Sequence, residues 1–233
     1  MSRRGYVPED EKQFLGKQLE LLKKAADEVQ FLLDQGYDIK PTTTFVGNHY
    51  MFSERQRLAL ARSISSKEWI EKRNKKELLQ KRDKSFPKIV HIDGFNMIIT
   101  LEVALSGSPI FYCRDGTIRD LAGLRGTYRV IDKTQRAIEL ILSELELLKI
   151  TEVCFYLDAP VSNSGRLSAL IWQCSEKYSI SVNVQIIPDV DRVLEHLEGV
   201  ISGDAIILNH CISWLNLMPR LVEQIEPIWK IHL

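Results

Sequence analysis

The chain has 233 residues, enough for one large domain or two small ones, so a sizeable core is expected. At 45% hydrophobic and 27% charged, with 12 Gly and 8 Pro, it is neither collagen-like, low-complexity nor fully disordered. Basic and acidic residues both number 31, but the balance is uneven: residues 1–87 hold 18 basic against 13 acidic, and residues 88–233 hold 13 against 18.

In chain order, Met1 to Asp10 lacks the apolar stretch of a signal peptide, and no window approaches the roughly 18 apolar residues of a membrane span. A cytoplasmic protein with no membrane partner is expected. Pro8 suits a first helical turn, Glu9, Asp10 and Glu11 complement the helix dipole, and Phe14, Leu15, Leu19, Leu22, Ala26, Val29 and Leu33 recur at helical spacing until Gly36. The capping box Ser53-Glu54-Arg55-Gln56 starts a second helix through Ile64. Ser65-Ser66-Lys67-Glu68 caps a third, running through Leu79 until Ser85-Phe86-Pro87 breaks it.

After Pro87 the pattern changes. Strand-length apolar runs stand at Ile89–Ile92, Val153–Leu157, Val182–Ile187, Val200–Ile201 and Ile228–His232, with amphipathic stretches between them, the clearest being Thr134–Leu148. Continuous β-branched runs separated by helices predict a doubly wound parallel sheet covered on both faces, an α/β domain over 88–233 behind a small all-helical basic domain over 1–86. Cys113, Cys154, Cys174 and Cys211 are far apart and form no C-x-x-C pair, so buried thiols rather than disulfides or a zinc site are expected.

In open α/β sheets, functional groups gather beyond the carboxyl ends of the strands. Asp93 follows the first run, Asp158 the second, Asp189 and Asp191 the third and Asp204 the fourth. Each alone is ordinarily a cap or turn residue. Capping does not require the coincidence, whereas several carboxylates in one cleft repel unless a cation neutralises them, and hard oxygen ligands select Mg²⁺ or Mn²⁺. Metal-assisted attack of water on a phosphodiester is the matching chemistry.

The segment Val90-His91-Ile92-Asp93-Gly94-Phe95-Asn96 resembles the opening strand of PIN-like nucleases of the NYN branch, and Ile201-Ser202-Gly203-Asp204 resembles their strand-end hydroxyl-x-Asp. The resemblance covers residues 88–233. With the N-terminal helices and Arg119–Arg129, the whole chain resembles a two-part prokaryotic family of unknown function. It implies a PIN-like fold in which Asp93, Asp158 and Asp204 bind Mg²⁺ or Mn²⁺ and are catalytic, Asn96 orients a water or phosphate, and Asp189 or Asp191 supports. The acidic residue that many PIN nucleases carry on a helix between the first two strands has no clear match; Glu102 and Glu139 are the candidates.

Three basic or glycine-rich segments complete the expectation. Ser162-Asn163-Ser164-Gly165-Arg166, entering a helix, suits phosphate through backbone N–H groups and a guanidinium, or is an ordinary strand–helix turn. Arg125 and Arg129, in the Gly-punctuated stretch from Arg114, suit a phosphate backbone, or the stretch is a hairpin whose arginines pair with Asp115, Asp120 and Asp132. Between Lys67 and Lys84 stand eight basic residues against four acidic, and Arg73, Lys75 and Lys76 are the expected RNA contacts, set against a solvated helix with pairs such as Glu68–Lys72 and Glu77–Lys81. His91 reads as a sheet-face residue, and Trp214, Leu215, Leu217 and Met218 as core.

The leading expectation is a divalent-metal-dependent ribonuclease with RNA as its partner, association with copies of itself being left open. The alternatives are a non-catalytic nucleic-acid-binding or regulatory protein of the same fold and, last, a metal-dependent phosphatase, whose paired Asp-x-Asp the first strand lacks. A cation side chain filling the acidic space would favour the binder.

Overall fold

The computed structural model describes residues 3–79, 87–123 and 126–233. Five helices lead the chain: α1 (Asp10–Phe14), α2 (Gly16–Asp34), α3 (Ile39–His49), α4 (Glu54–Ser63) and α5 (Lys67–Lys76). The first expected helix is two, because Leu15 is extended and Gly16 takes a φ of +55° that L side chains avoid. α3 escapes the apolar pattern: Thr42 and Thr43 help form its buried side, and the Thr43 and Thr44 hydroxyls donate back to the carbonyls of Ile39 and Lys40. The Ser53 capping box forms as expected, with Gln56 and Ser53 exchanging side chain for backbone. Ser66 caps α5, which stops at Lys76 instead of running to Leu79, because Glu77 turns extended and bridges Trp214. Ser85 and Phe86, the expected breakers, lie outside the described residues.

The main sheet contains β1 (Ile89–Asp93), β4 (Glu152–Asp158), β5 (Ser181–Ile187) and β6 (Val200–Ile201), all parallel in the order β5-β4-β1-β6. Alternation sorts its faces. Val90, Ile92, Val153, Phe155 and Leu157 point to one core shared with α6 (Gly94–Leu105), α7 (Thr134–Leu147), α8 (Ser164–Ser175) and α11 (Met218–Val222). Cys154, Tyr156 and Val200 point to the other, beneath α9 (Val190–Leu194), α10 (Ala205–His210) and the fully buried Trp214. Helix α6 is apolar almost all round and buried from Gly94 to Ala104 except at Asn96, which is half-buried at the sheet's carboxyl edge.

The run at Ile228–His232 does not join this sheet. It forms β7 (Trp229–His232), parallel to β2 (Pro109–Tyr112), whose other neighbour is the antiparallel β3 (Ile118–Arg119). This second sheet closes the helical unit: Phe111, Cys113, Leu121 and Ile231 share a core with Phe14, Leu22, Val29, Val46 and Leu60, and the Phe14 and Phe111 rings meet edge-on at 5.2 Å. All four cysteines are buried thiols. No helix among the described residues is long and apolar enough to cross a membrane.

Candidate functional site at the carboxyl ends of the parallel strands

The strand order reverses direction about β1, since β4 and β5 are added on one side and β6 on the other. Such a switch point opens a crevice between the loops that leave adjacent strands in opposite directions. Asp93 leaves β1 and Asp204 follows β6, so the two expected motifs flank this crevice.

Hydrogen bonds lock the two motifs together. Ser202 Oγ donates to Asp93 Oδ2 at 2.9 Å and accepts the Asp204 N–H at 3.0 Å, while Asn96 Oδ1 accepts the Gly203 N–H at 2.8 Å. Asp93 Oδ1 accepts the Asn96 N–H and thereby caps α6. Gly94 is required by space: a Cβ there would stand 2.9 Å from the Tyr156 carbonyl oxygen, so any larger residue would push α6 off β4. Each residue of the Asp-Gly-x-Asn and Ser-x-Asp patterns therefore has a local physical task. Asp204 also fulfils its capping role, with Oδ1 accepting the N–H groups of Ile206 and Ile207.

Asp93, Asp120, Asp158 and Asp191 line one cleft of about 170 Å³ together with Asn96 and Arg62. Asp204 lines an adjoining pocket of about 270 Å³, which shares Arg62, Asn96 and Asp120 with the first. Burial raises Asp93 to about 7 against the opposing Ser202 hydrogen bond, with Asp204 raising it further. Burial also raises Asp191 to about 6, helped by the charges of Asp204, Asp158 and Asp189. Asp158 is raised by burial and by Asp189, against a backbone hydrogen bond from Val190. These carboxylates thus feel one another and lack compensation, which is the environment a hard divalent cation relieves. Among the described residues no three His, Cys, Asp or Glu side chains stand as a preassembled metal cage. The donor set fits Mg²⁺ or Mn²⁺ in chemistry, its oxygens being those of carboxylates.

Other expected residues lie elsewhere. Asp189 is exposed and caps α9, so of the pair after β5 only Asp191 lines the cleft. Ser162 and Asn163 are occupied with the 126–128 segment: Ser162 Oγ accepts the Tyr128 N–H, Asn163 Nδ2 donates to the Tyr128 carbonyl, and Asn163 takes a φ of +63°. The turn reading therefore holds for Ser162 and Asn163, whereas Ser164 and Gly165 already begin α8; none of the four lines the cleft, and Arg166 is exposed on the first turn of α8. Arg129 is exposed and its carbonyl accepts from Arg4. Arg125 lies outside the described residues, as do Lys81, Arg82 and Lys84.

The basic helix calls for a larger correction. Arg73 is 2% exposed; it pairs with the buried Asp115 and donates to Asn209 Oδ1 at 2.8 Å and Ser65 Oγ at 3.0 Å. Lys76 donates to the carbonyls of Asn209 and Cys211, off the end of α10. Both were expected on RNA; both instead fasten α5 to the α/β unit. Lys75 is exposed, and Lys72 pairs with Glu68 at 2.6 Å as the solvated-helix reading has it.

Neither candidate for the helical carboxylate lines the cleft. Glu102 is buried in a cluster with Arg4, Tyr128 and Thr134, and Glu139 pairs with Lys177. A carboxylate that does line it is Asp120, just after β3, held by a 2.7 Å bond from Thr100 Oγ1 on α6 and by the Ala122 N–H. The run Thr117-Ile118-Arg119 before it is strand-like, so the strand-end rule applied to shorter runs finds it. Arg62, at the end of α4, carries no comparable sequence signal.

Residues 84–220 match a family described as "Domain of unknown function (DUF5616)", and residues 21–76 match one described as "Protein of unknown function (DUF434)". The chain is 35% identical over 188 residues to "Uncharacterized protein MJ0935" of Methanocaldococcus jannaschii, covering 80% of this chain and 88% of that relative. No solved structure matches.

Proposed function

The chain belongs to the family described as DUF5616, and for this member we propose a PIN-like, divalent-metal-dependent hydrolase of phosphodiester bonds that acts on RNA. One observation carries the reading: Asp93, Asp120, Asp158 and Asp191 reach a single cleft at the sheet's switch point from four separate elements. A fold does not require Asp93, Asp158 and Asp191 to gather without a cationic partner, and a site that holds a cation does.

In this reading Asp93, Asp158 and Asp191 hold the ion, with Asp204 adding field from the adjoining pocket and Asp120 supporting from the second sheet. A divalent ion there would lower the pKa of a bound water and take up charge developing on phosphate. Ser202 fixes the rotamer of Asp93. Asn96, its Oδ1 engaged by Gly203, keeps Nδ2 as a donor toward a phosphate or water.

Arg62 favours a second reading, a nucleic-acid binder of the same fold without catalysis, because it brings a cation into the acidic space. Among the described carboxylates, however, it pairs only with that of Asp120, at 3.9 Å, and forms no ion pair with Asp93, Asp158 or Asp191.

The test is cleavage of single-stranded and structured RNA with Mg²⁺ or Mn²⁺ added, compared with excess chelator. Asp158→Asn is expected to lower the rate by about 100-fold or more while binding of substrate changes little. Cleavage that survives in chelator would exclude the mechanism, and binding without cleavage would leave the binder.

A further inference from the structure

The α/β unit lines its cleft with carboxylates, an amide and apolar groups; among the described residues the one cationic side chain there, Arg62, belongs to α4 of the helical unit. A polyanionic substrate approaching four aspartates needs a positive group besides the ion they hold. We propose that Arg62, with Asn96 beside it, grips a phosphate of the nucleic-acid backbone, so that the helical unit and the α/β unit share one substrate site.

Three observations place Arg62 in this role. It lines both the carboxylate cleft and the adjoining pocket, as Asn96 does, so the two donors stand at the opening between them. Its guanidinium is only partly engaged: Nη1 donates to the Asp120 carbonyl oxygen at 2.5 Å, while Nε and Nη2 meet no hydrogen-bond partner among the described residues, and the side chain is 36% exposed. A structural ion pair would use the fork more fully.

Its seat is also fixed from below. Arg119 Nη1 donates to the Arg62 carbonyl oxygen at 2.6 Å, Arg119 Nε donates to the Gly203 carbonyl oxygen at 2.6 Å, and Arg119 Nη2 pairs with Asp115 at 2.6 Å. One buried guanidinium therefore sets the spacing between the backbone of Arg62 and the turn that carries Asp204. Arg119 is a positioning residue, and Arg62 is presented to the opening on a rigid support.

This inference rests on the phosphodiester reading for its ligand but not on turnover. The test is fluorescence anisotropy of a short labelled single-stranded RNA in Ca²⁺ at several salt concentrations, the oligomer being checked intact by gel. It uses the full chain and the variants Arg62→Gln, Arg62→Lys and, as a charge control on exposed α3 surface, Lys40→Gln. Arg62→Gln is expected to weaken binding about tenfold and to flatten the slope of log affinity against log salt by about 0.7, the share of one phosphate contact on a single strand. Arg62→Lys should retain the slope with part of the affinity, and Lys40→Gln should change neither.

Melting of each variant is followed in parallel. Should Arg62→Gln unfold, the lysine variant still decides, because a lost slope with the charge retained would contradict the assignment. Wild-type affinity and slope in Arg62→Gln would overturn the inference while leaving the nuclease reading to its cleavage assay. Failure of the wild-type protein to bind would overturn it as well. Binding that depends on Arg62 without any cleavage would keep the grip and remove the nuclease.

Discussion

Two buried carboxylates in this molecule, Asp93 and Asp115, behave oppositely. Asp93, in the cleft, is pushed up to about 7 by burial and then by the charge of Asp204. Asp115, between Arg73 and Arg119, is held below the usual carboxylate range although burial alone would raise it; Arg119, Thr117 and Arg73 outweigh burial. The residue type and degree of burial are the same, and the neighbours decide the sign. At Asp115 two guanidiniums complete the electrostatics within the protein. In the cleft the electrostatics are left for something else to complete, which is why it reads as a site and the junction as a fastening.

Breaking the junction gives the largest expected effect on stability. Asp115→Asn or Arg73→Gln removes one partner of a nearly inaccessible pair and is expected to cost about 3–5 kcal/mol, measurable by urea denaturation. Replacing Arg73, Lys75 and Lys76 together therefore cannot report on RNA contacts, because Arg73 dominates through folding. A near-neutral result for Asp115→Asn would mean the junction is as incomplete as the cleft.

Neutralising the cleft should act the other way. The unfolded chain ionises Asp93 near the ordinary carboxylate value while the folded protein keeps it protonated to about pH 7, so the folded state binds more protons in between. Stability in chelator should fall as pH rises from about 4 to 7, and Asp93→Asn should flatten that fall, read as Tm against pH. For Asp115, whose folded value is depressed, the contribution is present above the ordinary carboxylate value and is lost as pH falls through the depressed one. A cleft variant that changed only the acid limb would reverse the comparison.

A smaller effect is expected from the ion. At a hundredfold excess over its dissociation constant, Mn²⁺ at pH 7 should stabilise the wild-type protein by about 2.7 kcal/mol, seen as a rise in Tm that Asp93→Asn or Asp191→Asn reduces. Equal rises in wild type and variants would locate the ion elsewhere. The smallest effect is expected at the surface. Lys75→Gln should shift stability by no more than about 0.5 kcal/mol, since it alters an exposed position on α5.

The parallel strands and their terminal aspartates were legible because β-branched runs bounded by turns have a short-range signature. The motifs around Asp93 and Ser202 were legible for the same reason, each holding its residues within a few positions. Asp120 and Arg62 reach the cleft through the second sheet and α4, and that placement depends on β2 pairing with β7, a contact spanning half the chain that no local period encodes. Arg73 shows a different limit. A cation among cations on a helix looks identical whether it faces water or is sealed against Asp115, so the cluster that reads as an RNA clamp divides into one buried fastening, one lysine capping α10 and one exposed lysine.

The shared core of the helical unit bears on how the chain is made. Helices α1 to α5 leave the ribosome before any strand, yet Ile231 and Phe111 are part of the core they close around. N-terminal domains ordinarily fold as they emerge. Here the helices cannot close their core until β7 has been synthesised and laid beside β2, so a unit begun early in translation is completed only after the whole parallel sheet has emerged, and its apolar faces stay open to misassociation through that interval.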